Sequence, residues 1–217
     1  MILSLAVHEY AHAVVARMLG DDTAESQGRM TLNPLSHIDP IGTLILPLAS
    51  IFASTHGAGF PFFGWARPVP YNPLRFRRNI SMRLGTVLVA AAGPLSNLLF
   101  ALLCTLGLYI WFRVDPNDFG SMGQFIRAES PNPGVNLLWA SMRVNVGLFI
   151  FNLIPVPPLD GSKVLANLLP RRYDPFFATL ERYSFILFLL LIVTPAAQWF
   201  MYPAMKLIAG FVGFIFP

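Results

Sequence analysis

Charge is scarce in this chain. Asp, Glu, Lys and Arg together make up 12% of its 217 residues, while apolar residues make up 55%. Ordinary soluble domains carry about 25% charged residues, so too little polar surface is present to cover a soluble globule of this size. Mean hydropathy of +0.58 points the same way. High hydrophobicity also excludes intrinsic disorder. Cysteine is nearly missing: Cys104 has no second cysteine to pair with, which excludes a disulfide scaffold. Lysine is confined to Lys163 and Lys206. No repeat of 20–50 residues and no low-complexity tract is present. What remains is a polytopic membrane protein.

The apolar runs give the organisation. Residues 2–19 form a helix-length run that holds His and Glu inside it and lacks a basic leader, so it is not a signal peptide. Gly20 stands where a helix C-terminal glycine belongs. Residues 41–54 are apolar but short and contain Pro47, as expected of a re-entrant or interfacial segment. Residues 55–83 are rich in Gly, Pro and Arg and read as a small irregular or β region at the membrane surface, with 55–73 a candidate edge for pairing with an extended substrate. Residues 84–112 are the strongest span, free of charge, and 134–159 are a second. Residues 183–217 are apolar and broken by Pro195 and Pro203. The expectation is an all-α polytopic membrane protein of about five to six membrane segments, one of them re-entrant. It forms a single membrane-embedded domain over 1–217, with a core of about 2–170 and C-terminal helices in 176–217.

The net charge of +4 and pI of 9.6 do not indicate a nucleic-acid partner, because the arginines flank apolar runs. Arg67, Arg75, Arg77, Arg78 and Arg83 precede the 84–112 span, and Lys163, Arg171, Arg172 and Arg182 follow the 134–159 span. The loop between the spans holds only Arg113 and Arg127. By the positive-inside bias, both basic loops are expected on the cytoplasmic side of the cell membrane.

Chemistry begins at His8-Glu9-Tyr10-Ala11-His12, an HExxH. On a helix, residues i and i+4 project from one face, so two imidazoles can bind one Zn²⁺ while Glu9 reaches a water as general base. Three polar side chains within five residues of an apolar run are costly unless they serve one another. A catalytic zinc site needs a third protein ligand. Asp160, after the proline cluster Pro155, Pro157 and Pro158, is the candidate, and an N-cap role for it is the alternative.

HEYAH in an apolar helix, GPLSN in a later span and NLIPVPPLDG after that resemble the site-2 protease family of intramembrane zinc metalloproteases. GRMTLNPLSHIDPIGT and FGWARPVPYNP are similar to its compact branch without a PDZ domain. The resemblance implies one Zn²⁺ per chain held by His8, His12 and Asp160, with Glu9 as general base. It implies transmembrane protein substrates cut within the lipid bilayer. Helix depth adds the side: if Gly20 faces the cytoplasm, the metal ligands are expected in the cytoplasmic half of the membrane. Gly93 and Asn97 match the family's GxxxN pattern; Asn97 either contacts substrate or packs between helices. Asn152 either supports the transition state or orients Asp160.

Two rival functions stand beside this one. A metal transporter would need polar residues in the outer halves of the spans, but residues 98–112 offer only Cys104, Thr105, Tyr109 and Trp111. A non-catalytic protein that binds membrane helices would have lost Glu9 or a ligand, and this chain has lost none. Arg143, inside a span, is expected to pair with Glu129 or to snorkel. His37 and His56 are read as loop residues, and Cys104 as core.

Overall fold

The computed structural model describes residues 1–39, 42, 67–194 and the separate positions 196, 199, 202 and 206. Six helices organise what is described. Helix α1 spans Ile2–Met18. Its buried positions Ser4, His8, His12 and Ala16 recur every four residues, with Glu9 and Ala13 beside them, so one stripe carries both the packing and the chemistry. Gly20, at φ 108°, ends the helix. The Gly20 N–H bonds to Arg17 O and the Asp21 N–H to Ala16 O, the paired closure of a Schellman motif, which favours glycine at the left-handed position.

Helix α2, Met82–Val114, is the centre of the molecule and packs against α1, α3 and α4. Ser81 caps its start, the hydroxyl accepting from Leu84 N. At 33 residues it is about 50 Å long, well beyond a hydrocarbon core of about 30 Å. Pro94 lies inside it without ending it. Helix α3, Pro133–Leu153, returns beside it. Their outer ends enclose an apolar core in which Ala101, Cys104 and Leu108 meet Phe119, Phe125, Val135, Trp139 and Met142. Among the described residues, α2 and α3 are the two helices long and apolar enough to cross a membrane. The protein is mostly helical, and no strand occurs among the described residues.

Several boundaries differ from expectation. The second span stops at Leu153 instead of 159, because Pro155, Pro157 and Pro158 remove backbone donors and fix φ. Helix α4, Asp160–Leu168, starts directly after that break. Helix α5 covers Asp174–Arg182 and α6 covers Ser184–Val193. Residues 67–81, part of the expected irregular or β region, carry no strand, and residues 55–66 of that region, His56 among them, with the 41–54 segment apart from Gly42 and with most of 195–217, lie outside the described residues. Arg143 does not pair with Glu129. Its guanidinium lies 5.8 Å from the centre of the Trp139 ring, while Glu129 accepts from Arg127 Nε at 2.8 Å.

Both basic loops meet at one end of the bundle. The Arg77 N–H donates to Leu19 O at 2.7 Å, joining the loop before α2 to the end of α1. Arg83 Nη1 donates to Leu169 O at 2.7 Å, and its Nη2 pairs with Asp174, joining the same region to the loop after α4.

Candidate active site

His8 and His12 stand one turn apart on the buried face of α1, 4% and 8% exposed, with ring centroids 4.7 Å apart. The proline break brings Asp160 to them across 152 residues of sequence. His8 Nε2 lies 3.1 Å from Asp160 Oδ2, His12 Nε2 lies 3.2 Å from the same oxygen, and the two Nε2 atoms are 3.0 Å apart. Asp160 is the first helical residue of α4 and points at the histidines instead of capping. Its position depends on Gly161, where a Cβ would fall 2.3 Å from Leu153 O, so the start of α4 lies directly on the end of α3.

One helix holds the back of both imidazoles. His12 Nδ1 donates to Val89 O at 2.6 Å. The Asn97 amide meets His8 Nδ1 at 3.3 Å. Between them Gly93 leaves room for the rings: a Cβ there would lie 2.4 Å from His12 Nε2 and 2.6 Å from His8 Cε1. Glu9 is fixed from another direction, its Oε2 accepting from the Val69 N–H at 2.8 Å. The segment carrying Val69 is tied down at three points: Arg67 N to His37 O at 2.9 Å, Arg29 Nη2 to Arg67 O at 2.8 Å, and Asn72 N to Asp21 Oδ2 at 2.6 Å.

These groups open on a cavity of about 360 Å³. His8, Glu9, His12, Asp160, Asn152, Lys163 and Tyr71 line its polar part, and Leu5, Leu148, Phe151 and Phe188 form much of its apolar wall. Lys163 is the sole Lys or Arg among the lining residues; its Nζ is 3.6 Å from Asp160 Oδ1, the carboxylate oxygen turned away from the histidines. Burial pushes the Tyr71 phenol above its ordinary range, keeping it a neutral hydrogen-bonding group.

The donor set fits zinc. Tetrahedral Zn²⁺ with bonds of about 2.0–2.1 Å places its ligand atoms roughly 3.3–3.4 Å apart. The three edges here are 3.0, 3.1 and 3.2 Å. Because the His12 Nδ1 proton is engaged by Val89 O, the neutral ring turns a lone pair into the triangle. A shared cation satisfies all three converging atoms at once.

The model of Peptidase family M50 matches residues 1–194. The chain belongs to this family, the site-2 protease family. It is 37% identical over 207 residues to the protein named "Putative zinc metalloprotease YwhC" of Bacillus subtilis, covering 95% of this chain and 84% of that one. It is 29% identical over 204 residues to "Putative zinc metalloprotease Rip2" of Mycolicibacterium smegmatis, covering 92% of this chain and 67% of that one. No solved structure matches it. As a family M50 member with these relatives it is a membrane metalloprotease, and zinc is its cofactor.

The residues singled out from sequence fall as follows. His8, His12 and Asp160 form one group, and Glu9 shares their cavity. Asn97 is wholly buried behind His8 and is not part of the cavity wall. Asn152 lines the cavity, with Nδ2 donating to Leu148 O at 2.9 Å within its own helix. His37 is buried and bonds Thr31 O through Nε2 at 2.8 Å. Three features went unread: Val69 as the partner of Glu9, Val89 O as the partner of His12, and Lys163 beside Asp160. The first two are backbone groups, which leave no side-chain signature. Lys163 carried a readable one, its i,i+3 spacing from Asp160 on a helix.

Proposed function

We propose that this chain is an intramembrane zinc endopeptidase that hydrolyses peptide bonds in or near transmembrane helices of other proteins, as a step of regulated proteolysis. One observation carries the reading. Three buried metal-ligating side chains converge beside a glutamate, in a cavity whose other wall is apolar and includes Leu148 and Phe151 of the membrane-length helix α3. In this reading His8, His12 and Asp160 hold the ion and Glu9 is the general base. When bound, zinc polarises the substrate carbonyl and acidifies a water.

The protein's own residues do the rest. Glu9 takes the proton of the attacking water and passes it to the leaving nitrogen as the C–N bond breaks. The Val69 N–H holds its carboxylate in place. Asn152, on the cavity wall, is positioned to hydrogen-bond an unwound substrate backbone. Unwinding is required, because a helix hides its carbonyls in internal bonds that hydrocarbon does not replace. The apolar wall of Phe151 and Phe188 suits a hydrophobic substrate side chain. The meeting of both basic loops at one end supports a cytoplasmic location for that end of a multi-pass chain, with the site in the adjoining half of the bilayer.

The test uses Glu9→Gln. Proteins that copurify with this variant from cells are identified by mass spectrometry, and their helices are then presented in liposomes to both forms. Zinc content should be unchanged and cleavage should fall about 10²–10⁴-fold, the usual worth of a general base. Cleavage by Glu9→Gln at the unsubstituted rate would end the proposed role of this residue.

A further inference from the structure

The two histidines of the centre are held from behind by the same helix, but only one of them by an unambiguous partner. His12 Nδ1 faces a backbone carbonyl, Val89 O, so it carries the proton. His8 Nδ1 faces a carboxamide, that of Asn97, which presents either an acceptor or a donor. As placed, Asn97 turns Nδ2 towards His8 and leaves Oδ1 buried with no partner. A half-turn of the amide exchanges the two atoms and leaves its outline unchanged.

The two orientations impose opposite tautomers on His8. If Nδ2 donates to Nδ1, the ring proton sits on Nε2. That proton would then point between Asp160 Oδ2 at 3.1 Å and His12 Nε2 at 3.0 Å, into the place a shared cation needs. If Oδ1 faces the ring, His8 Nδ1 donates and Nε2 turns a bare lone pair inward. The same half-turn gives the orphaned oxygen a partner, moving Nδ2 to the position the oxygen leaves, and it makes His8 a match for His12.

We infer that Asn97 is the positioning residue that fixes the His8 tautomer, its Oδ1 accepting from His8 Nδ1–H. This rests on the reading of His8 as a zinc ligand. Val89, Gly93 and Asn97 stand at i, i+4 and i+8 on α2 and act together. Val89 O and Asn97 Oδ1 take the two Nδ1 protons, and the missing Cβ of Gly93 lets the rings reach them. Asn97 is 0% exposed and off the cavity wall, so it works through His8 and not by touching substrate.

The experiment compares Asn97→Asp, which keeps an acceptor in the same shape, with Asn97→Leu, which keeps bulk alone. Zinc affinity of the full chain in detergent is measured by competition with a chelator. Asn97→Leu should bind about 10–100-fold more weakly, the usual cost of losing the group behind a ligating histidine. Asn97→Asp should stay close to the unsubstituted chain. Asn97→Leu binding at full strength, or Asn97→Asp as weak as Asn97→Leu, overturns the inference. His8→Ala tests the underlying reading separately, since full zinc affinity there removes His8 from the ligand set itself. Nitrogen NMR of the ¹⁵N-histidine-labelled chain, stripped of zinc, reads the tautomer directly. The His8 proton is expected on Nδ1 in the unsubstituted chain and on Nε2 in Asn97→Leu. A proton on Nε2 in the unsubstituted chain overturns the inference even if every variant fails to fold.

Discussion

The two halves of α2 are built for different purposes. Its first half, up to Asn97, buries small and polar residues: Gly85, Val89, Ala90, Gly93, Pro94 and Asn97. Its second half buries Ala101, Cys104 and Leu108 against the aromatic rings of Phe119, Phe125 and Trp139. The first half fixes positions: Val89 O and Asn97 bond the imidazoles, Gly93 leaves space for them, and Gly85 leaves space for the Phe76 ring. The second half fills volume, and dispersion contacts among apolar groups are individually weak and interchangeable. A helix uniformly apolar by composition therefore holds a stretch with almost no tolerance beside one with a good deal. Substitutions on the two sides of Asn97 should separate accordingly.

The largest effect is expected at Gly93→Ala. The added Cβ would sit 2.4 Å from His12 Nε2 and 2.6 Å from His8 Cε1, so the rings must shift by about 1 Å. Neither ring is free to do so, because Val89 O and Asn97 hold them from behind. A misplacement of about 1 Å commonly costs about 10²-fold in rate, and the ligand triangle is deformed by the same shift. Cleavage should fall by at least about that factor and bound zinc should drop, while the purified chain keeps its helical circular dichroism. Full zinc content and full activity in Gly93→Ala would show that the first half has slack and that the contrast is unfounded.

How far this was readable from sequence follows the same division. HExxH places His8 and His12 on one face because helical geometry alone does so, and the proline cluster marks the break that carries Asp160. The GxxxN spacing flagged Gly93 and Asn97 without saying what they touch, since their partners belong to α1, some eighty residues earlier in the chain. Val89 O and the Val69 N–H were invisible, being backbone groups selected by tertiary packing. Spans 84–112 and 134–159 were legible from the length of the apolar runs, but their ends were not. Ser81 sets the first through its cap, and the prolines end the second six residues early.

In the second half, Leu108→Ala should act on stability alone. Leu108 is 1% exposed among Phe119, Trp139 and their neighbours. Leu→Ala in a core costs about 2–5 kcal/mol, from transfer and cavity terms together. Hydrocarbon surroundings remove much of the transfer term, which places this change near the lower figure. Unfolding in a graded detergent mixture should show a loss of about 2 kcal/mol. Zinc bound per folded molecule should not change. Zinc loss without loss of stability would mean that the outer half also tunes the centre.

The smallest effect is expected at Cys104→Ala, which deletes one sulfur from the same core. Cys104 is 4% exposed and is the sole cysteine of the chain. Removing so small a group should cost about 1 kcal/mol or less, with zinc content and cleavage unchanged. The substitution then yields a background in which both ends of α2 can be addressed. Arg78 and Asn117 are exposed on either side of Met82–Val114, a helix of about 50 Å. That length leaves each site clear of a hydrocarbon core of about 30 Å. Basic residues cluster at the Arg78 end, where the loops before α2 and after α4 meet. An impermeant thiol reagent added to intact cells should therefore label Asn117→Cys and spare Arg78→Cys, with both labelled once the cells are opened. Labelling of Arg78→Cys from outside would invert α2, and with it the side of the membrane from which water reaches Glu9.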